Sequence, residues 1–156
     1  VGFALDHSFS WINDINSRLS DRTIKRIVDS GAKLVSMLRG MDVEWFHARI
    51  RYLINLGMQP QNIVLDPGIG FGKTKQENIS MLRHLSLIQD LGCPVMLAHA
   101  RKSFMTLFSP HLAAERDIET LAISQHAARL KSDYLRVHNV QEHQRFFVAH
   151  HVCSVA

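Results

Sequence analysis

Cysteine is scarce in this chain of 156 residues, which has only Cys93 and Cys153. The two show neither metal-ligand spacing nor a paired framework. That argues against a disulfide scaffold or a cysteine-based zinc site and suits a reducing cytosol, so the expected location is cytoplasmic. Long apolar runs are absent as well. No membrane span is expected, and no signal peptide is read before the fold. Basic residues interleaved with stacking aromatics are missing, so the formal charge of +4 does not point to a nucleic-acid partner. The densest basic stretch, Arg22–Arg26, reads as a solvated helix face. Ten histidines are present, yet none form a His-x-x-x-His or His-Glu-x-x-His pair on a credible helix. His150-His151 reads as surface, and no residue is assigned as a metal ligand.

Hydrophobic residues make up 46% of the chain and charged residues 21%, which is ordinary for a globular domain with a real core. Apolar runs of strand length alternate with amphipathic stretches throughout. The runs predict strands at Ser10–Ile15, Leu34–Leu38, Ile63–Asp66, Val95–Ala100 and Tyr134–Val140. The amphipathic stretches predict helices at Asp21–Ser30, Val43–Leu56, Glu77–Leu91, His111–Leu130 and Gln141–Val152. Gly31, Gly57 and Gly92 sit where left-handed C-caps want glycine, and Asp42 is placed to cap the second helix. Strand–helix alternation with near-continuous apolar strands indicates a parallel sheet covered by helices. Polar residues recur at the strand C-termini: Asn13 and Asp14, Arg39, Asp66, Arg101 and Lys102, Arg136 and His138. Parallel α/β folds keep their chemistry there.

The densest signal is Leu65–Thr74, Leu-Asp-Pro-Gly-Ile-Gly-Phe-Gly-Lys-Thr. A buried strand delivers Asp66 to its end, and Pro67 stops the ladder. Gly68, Gly70 and Gly72 let the backbone turn tightly and approach a ligand, and Lys73 adds a cation. Gly72-Lys73-Thr74 mimics the end of a phosphate-cradling loop, but the required earlier glycine is Pro67. The spacing also fails the dinucleotide fingerprint. What is left is a pocket for a flat, polar small molecule. From the residues alone, other roles stay open: Asp66 as a turn cap, Arg136 as an ion-pair partner of an acid such as Asp133, and Lys102-Ser103 as a helix start.

In chain order, Ile12-Asn13-Asp14-Ile15, Asp66-Pro67-Gly68-Ile69-Gly70-Phe71-Gly72-Lys73, Arg101-Lys102-Ser103-Phe104 and Arg136-Val137-His138 resemble dihydropteroate synthase. That enzyme is the pterin-binding barrel of folate biosynthesis. The resemblance covers essentially the whole chain and implies an α/β fold, a partial TIM (β/α)8 barrel made of its last five βα units. Residues 1–156 would then form one truncated pterin-binding domain. A full barrel takes about 250 residues, so the shortfall matches three units. The implied activity is a transferase reaction, condensation of dihydropterin pyrophosphate with para-aminobenzoate.

Residue by residue, the resemblance implies substrate binding by Asn13, Ile15, Asp66, Phe71, Arg101, Lys102, Ser103 and Arg136. It implies catalytic roles for Lys102, Arg136 and His138. Asp66 would accept from the pterin amino group and ring N–H, and Asn13 would pair with the ring. Lys102 would donate to it, Arg136 would stack on it, and Phe71 and Ile15 would pack around it. Arg136 and His138 match the family's pyrophosphate contacts, and Arg101 and Ser103 the aminobenzoate side. The family uses Mg2+, but its protein ligand lies in an amino-terminal loop with no counterpart here.

Four departures from the family pattern stand out. Ser36-Met37-Leu38 replaces Met-His-Met, Ala98 replaces a glycine, Ala100 a serine, and Asn139 an aspartate. An amino-terminal barrel chain, a second copy or further sequence of the same protein would complete the barrel, and the family's pairing through its last helices implies a homodimer. The alternatives are a pterin-binding module or remnant without activity and, with a poorer fit, a pterin-dependent corrinoid methyltransferase.

Overall fold

The computed structural model describes residues 1–154, so the end of the expected domain, residues 155 and 156, lies outside the described residues. The order is α1 (Gly2–Asp6), β1 (Trp11–Asp14), α2 (Asp21–Ser30), β2 (Lys33–Met37), α3 (Glu44–Asn55), β3 (Ile63–Asp66), α4 (Lys75–Arg83), α5 (Ser86–Gln89), β4 (Met96–Leu97), α6 (Asp117–Arg129), β5 (Tyr134–Leu135) and α7 (Val140–Ser154). Strands β1, β2 and β3 pair in parallel in that order, and β4 pairs in parallel with β5. A parallel bridge, Leu65 to Val95, joins the two sets.

Both faces of the central strands are covered, which is why β2 and β3 read as continuous apolar runs. On the outer face, Leu34, Ile63 and Leu65 pack against Ile24 and Ile27 of α2, Phe46 and Leu53 of α3, and Met81 of α4. On the inner face, Val35, Val64 and Met96 form a second cluster with Tyr134. Trp11 of β1 meets Tyr134 of β5 edge to face at 4.8 Å. The sheet therefore curls until its first and last strands touch across the inner face, as a barrel wall does.

Several element limits differ from expectation for local reasons. Strand β4 ends at Leu97 rather than Ala100, because Arg101 adopts a left-handed φ of 57° and the Lys102 N–H turns back to the His99 carbonyl. Strand β5 likewise ends at Leu135, with one further ladder bond from the Arg136 N–H to Leu97. The expected Glu77–Leu91 helix breaks into α4 and α5 at His84, whose ring contacts the Ser80 carbonyl at 2.8 Å. The break seats Leu85 and Ile88 in the core. The expected His111–Leu130 helix starts only at Asp117. Before it lies a 3₁₀ turn (Ala113–Glu115), held as Arg116 donates to the His111 and Lys102 carbonyls. Asp42 does not cap α3 through its side chain; its backbone carbonyl accepts from Trp45. Helix α1 was not anticipated.

Helix α4 begins with a reciprocal cap. The Glu77 N–H donates to the Thr74 hydroxyl, and the Thr74 N–H donates to the Glu77 carboxylate at 2.6 Å. Thr74→Ala removes one partner of this pair and should cost about 1 kcal/mol in urea unfolding. Unchanged stability would show that the cap contributes nothing.

Candidate functional site at the strand ends

In a strand, alternate side chains share a face. Asn13 and Val35 are register partners, as are Val35 and Val64, so Asn13 lies on the inner face. Two residues beyond Val64, Asp66 emerges on the same face beside Met37. Asp14, next to Asn13, must then point outward. It does, pairing there with Arg49 of α3 at 3.2 Å. Arg49 also donates to the Ser36 hydroxyl at 3.0 Å, and all three side chains are buried. Asp14 and Ser36 are therefore part of the sheet–helix packing and not of the inner cleft.

Asp66 is 5% exposed and accepts the Gly68 N–H at 2.7 Å. Burial pushes its pKa up to about 6, opposed by the Gly68 hydrogen bond and by the charges of Lys102, Lys73 and Arg136. The glycine loop holds these groups close. A side chain at Gly68 would put its Cβ 2.0 Å from the Leu38 carbonyl oxygen, at a φ of +66°. Only glycine lets the loop fold back against the end of β2. At Gly70 a Cβ would sit 3.0 Å from the Lys102 stem, which lies along this bare stretch. The Lys102 ammonium rests 4.4 Å from the centre of the Phe71 ring, a cation–π contact. Burial lowers the Lys102 pKa, with Asp66 opposing.

The cation that Lys73 adds is turned onto the backbone. Its ammonium donates to the Leu38, Gly68 and Phe71 carbonyls at 3.2, 3.2 and 3.4 Å, tying the loop to β2. Burial lowers its pKa to about 8. Asn78 completes the loop: it is 2% exposed, accepts the Gly70 N–H at 2.6 Å and donates to the Thr74 carbonyl at 2.7 Å. Sequence reasoning missed Asn78. The available signal was a polar residue on the apolar face of the helix that follows the glycines.

Across from the loop, Ala98, Ala100, Lys102, Arg136, Val137 and His138 line a cleft of about 170 Å³. Arg136 does not pair with Asp133, whose carboxylate instead accepts the Val95 N–H at 2.8 Å. Arg136 and His138 are exposed, as are Asn13 on β1 and Ile15 just after it. Ser103 is exposed at the start of a 3₁₀ turn (Ser103–Leu107). Arg101 faces elsewhere: its guanidinium grips the Asp117 carboxylate in a fork at 2.7 and 2.8 Å. That pairing holds the Asp117 carboxyl below its usual range. Asn139 caps α7 by accepting the Glu142 N–H, and its amide donates to Asp117 at 3.4 Å.

A carboxylate and a basic cleft at the C-terminal ends of parallel strands, with helices packed outside, define an α/β protein whose polar cleft lies where such folds keep their sites. The chain belongs to the family of pterin binding enzymes, which matches residues 2–138. A folate synthesis bifunctional protein of Chlamydia caviae is 35% identical over 107 residues, covering 69% of this chain and 24% of that protein. A dihydropteroate synthase of Synechocystis sp. is 34% identical over 125 residues, covering 80% of this chain and 42% of the relative. Among solved structures, dihydropteroate synthase from Clostridium difficile in the presence of pteroic acid superposes with a TM-score of 0.85 at 30% identity. That match covers 92% of this chain and 59% of the other. The chain thus spans between about a quarter and three fifths of the length of these relatives.

The cleft is a poor setting for a divalent cation. Its lining is cationic, and among the described residues no group of three or more His, Cys, Asp or Glu side chains converges as ligands.

Proposed function

We infer that residues 1–156 form a pterin-binding domain of the dihydropteroate synthase type, corresponding to the last five βα units of the barrel. In this reading it contributes to the condensation of dihydropterin pyrophosphate with para-aminobenzoate. The observation that carries the reading is Asp66: a nearly inaccessible acceptor at the cleft, faced by Lys102 and Arg136. An ionised carboxylate presents two oxygens to adjacent N–H donors, the pattern of an aminopyrimidinone edge. Asn13 supplies a further donor and acceptor, Phe71 and Ile15 apolar walls, and Lys102 a donor to the ring. Arg136 stacks on the ring face.

Arg136 and His138, at the outer end of the cleft, face the pyrophosphate and stabilise its growing charge as it departs. The carbon–oxygen bond to pyrophosphate breaks while the aniline nitrogen bonds to the same carbon and sheds a proton. Ser103 and Arg101 attend the aminobenzoate. Arg101 would keep Asp117 as its partner and use its remaining N–H groups. Among the described residues no helix is long and apolar enough to cross a membrane, and a cytoplasmic location belongs to the same reading.

Lys102→Ala should weaken binding of a pterin analogue at least tenfold by calorimetry, with little change in melting temperature. Equal affinity in the variant would remove Lys102 from the site. Expression in a strain lacking dihydropteroate synthase tests turnover. The open cleft, with Asn13, Ile15, Arg136 and His138 exposed, favours rescue only when amino-terminal barrel units or a second copy cover it. Failure even then supports the second reading, a binding module without catalysis.

A further inference from the structure

Behind the cleft, three side chains with no role in the scheme above form a hydrogen-bonded chain. His99 is fully buried, with Nε2 2.9 Å from the Ser124 hydroxyl and 3.0 Å from the Thr120 carbonyl. His143 is 6% exposed, with Nε2 2.9 Å from the same hydroxyl and Nδ1 2.8 Å from the Asn139 carbonyl. A carbonyl only accepts, so both tautomers follow: His99 carries its hydrogen on Nε2 and His143 on Nδ1. Ser124 then accepts from His99 and donates to His143. The bonds run in one direction, from His99 through Ser124 and His143 to Asn139. Burial lowers the pKa of His99, opposed by its hydrogen bond to the Thr120 carbonyl.

The two ends of this chain are the two turns that build the cleft. His99 opens the turn after β4, in which the strained Arg101 gives its N–H to the Thr120 hydroxyl at 3.1 Å and Lys102 follows. Asn139 closes the turn after β5, directly behind Arg136 and His138. Both turns are thus tied to one face of α6, through Ser124 and, nearer the surface, through Asp117 with its bonds to Arg101 and Asn139.

Buried polar groups need partners, and this network, in which His99 Nδ1 alone stays buried without one, keeps its shared Ser124 bonds in one relative arrangement of its elements. An apolar filling of equal volume tolerates small slides. We propose that His99, Ser124 and His143 are positioning residues that hold the turns after β4 and β5 in register, so that Lys102, Arg136 and His138 converge on one cleft. None of the three lines that cleft. The consequence for ligand rests on the reading above, in which the cleft takes the pyrophosphate end of the substrate.

Ser124→Ala removes both bonds to the hydroxyl with little loss of volume. The amide signals of Arg101 and Lys102 and those of His138 and Asn139 should shift together in 1H–15N spectra. Affinity for inorganic pyrophosphate, measured by calorimetry, should fall about tenfold. His143→Gln, whose side-chain oxygen can accept where Nε2 stood, should stay within about twofold of wild type, while His143→Leu falls as Ser124→Ala does. That rescue separates positioning from packing and serves as the comparison if Ser124→Ala does not fold. In wild type, 15N shifts should show His143 protonated on Nδ1. The proposal is overturned by an Nε2-protonated His143, by shifts confined to α6, or by unchanged affinity in a chain that binds pyrophosphate. If wild type binds no pyrophosphate, the cleft reading fails, and the coupled amide shifts alone decide the strut.

Discussion

Asp66→Asn should bind no pterin analogue and yet melt at a higher temperature than wild type at pH 7.5. The carboxyl has a pKa of about 6 in the folded protein against 3.8 as its ordinary value. Between those values the folded state holds more protons than the unfolded one, so stability falls as pH rises through this window. Above about pH 6 the full cost of keeping the charge buried is present, on the order of 2–3 kcal/mol. Asparagine keeps the acceptor for the Gly68 N–H and removes the charge. Thermal unfolding should shift upward by roughly 5–10 °C at pH 7.5, with the gain vanishing near pH 4. A lower melting temperature at both pH values would mean that the three neighbouring cations outweigh burial. Binding should move the other way. Wild-type affinity for a pterin analogue should decline as pH falls through about 6, because the protonated acid loses acceptor capacity. A charge held where it destabilises the fold is the usual mark of a group kept for a ligand.

Arg49→Met should bring the chain close to unfolding. The substitution keeps most of the buried stem but leaves Asp14 charged, 6% exposed and without its partner. The Ser36 hydroxyl loses a donor at the same time. Breaking a buried pair from one side costs roughly 3–5 kcal/mol, a large part of the 5–15 kcal/mol that holds a typical domain together. Adding Asp14→Asn to Arg49→Met should recover most of the loss, since the stranded charge is gone. Urea unfolding of the two single variants and the double variant measures the coupling. Additive losses would show that the pair does not act as a unit. This pair also anchors the end of β1, and with it Asn13 on the opposite face, so the double variant should retain pterin affinity better than Arg49→Met alone.

Much of this architecture was legible in the order of residues. Apolar runs at Leu34–Leu38 and Ile63–Asp66 match β2 and β3 to within a residue, and Asp21–Ser30 matches α2. Gly31, Gly57 and Gly92 all carry positive φ. These features depend on nearest neighbours: side-chain periodicity, a missing N–H at Pro67, a missing Cβ at glycine. The glycine block and the acid before it were legible for the same reason, and with them the family.

Other features depend on partners far along the chain. Asn13 and Asp14 are adjacent and both polar, but one looks into the cleft and the other meets Arg49. Since both faces of a covered parallel sheet are buried, periodicity within the strand does not say which is which. Arg101 carries no local sign that Asp117, sixteen residues on, holds its guanidinium in a fork. Lys73 adds a cation in the sequence, but nothing local shows that the Leu38 carbonyl, with those of its own loop, takes up the ammonium. His99, Ser124 and His143 carried no signal, because their meeting depends on how α6 and α7 lie against β4 and β5. The sequence by itself determined where strands, helices and the acid at the end of β3 fall, because short-range sterics and solvent periodicity decide those. Only the tertiary structure decided which polar residues face the cleft and which brace the scaffold. That choice is made by desolvation and by pairing between elements distant in the chain.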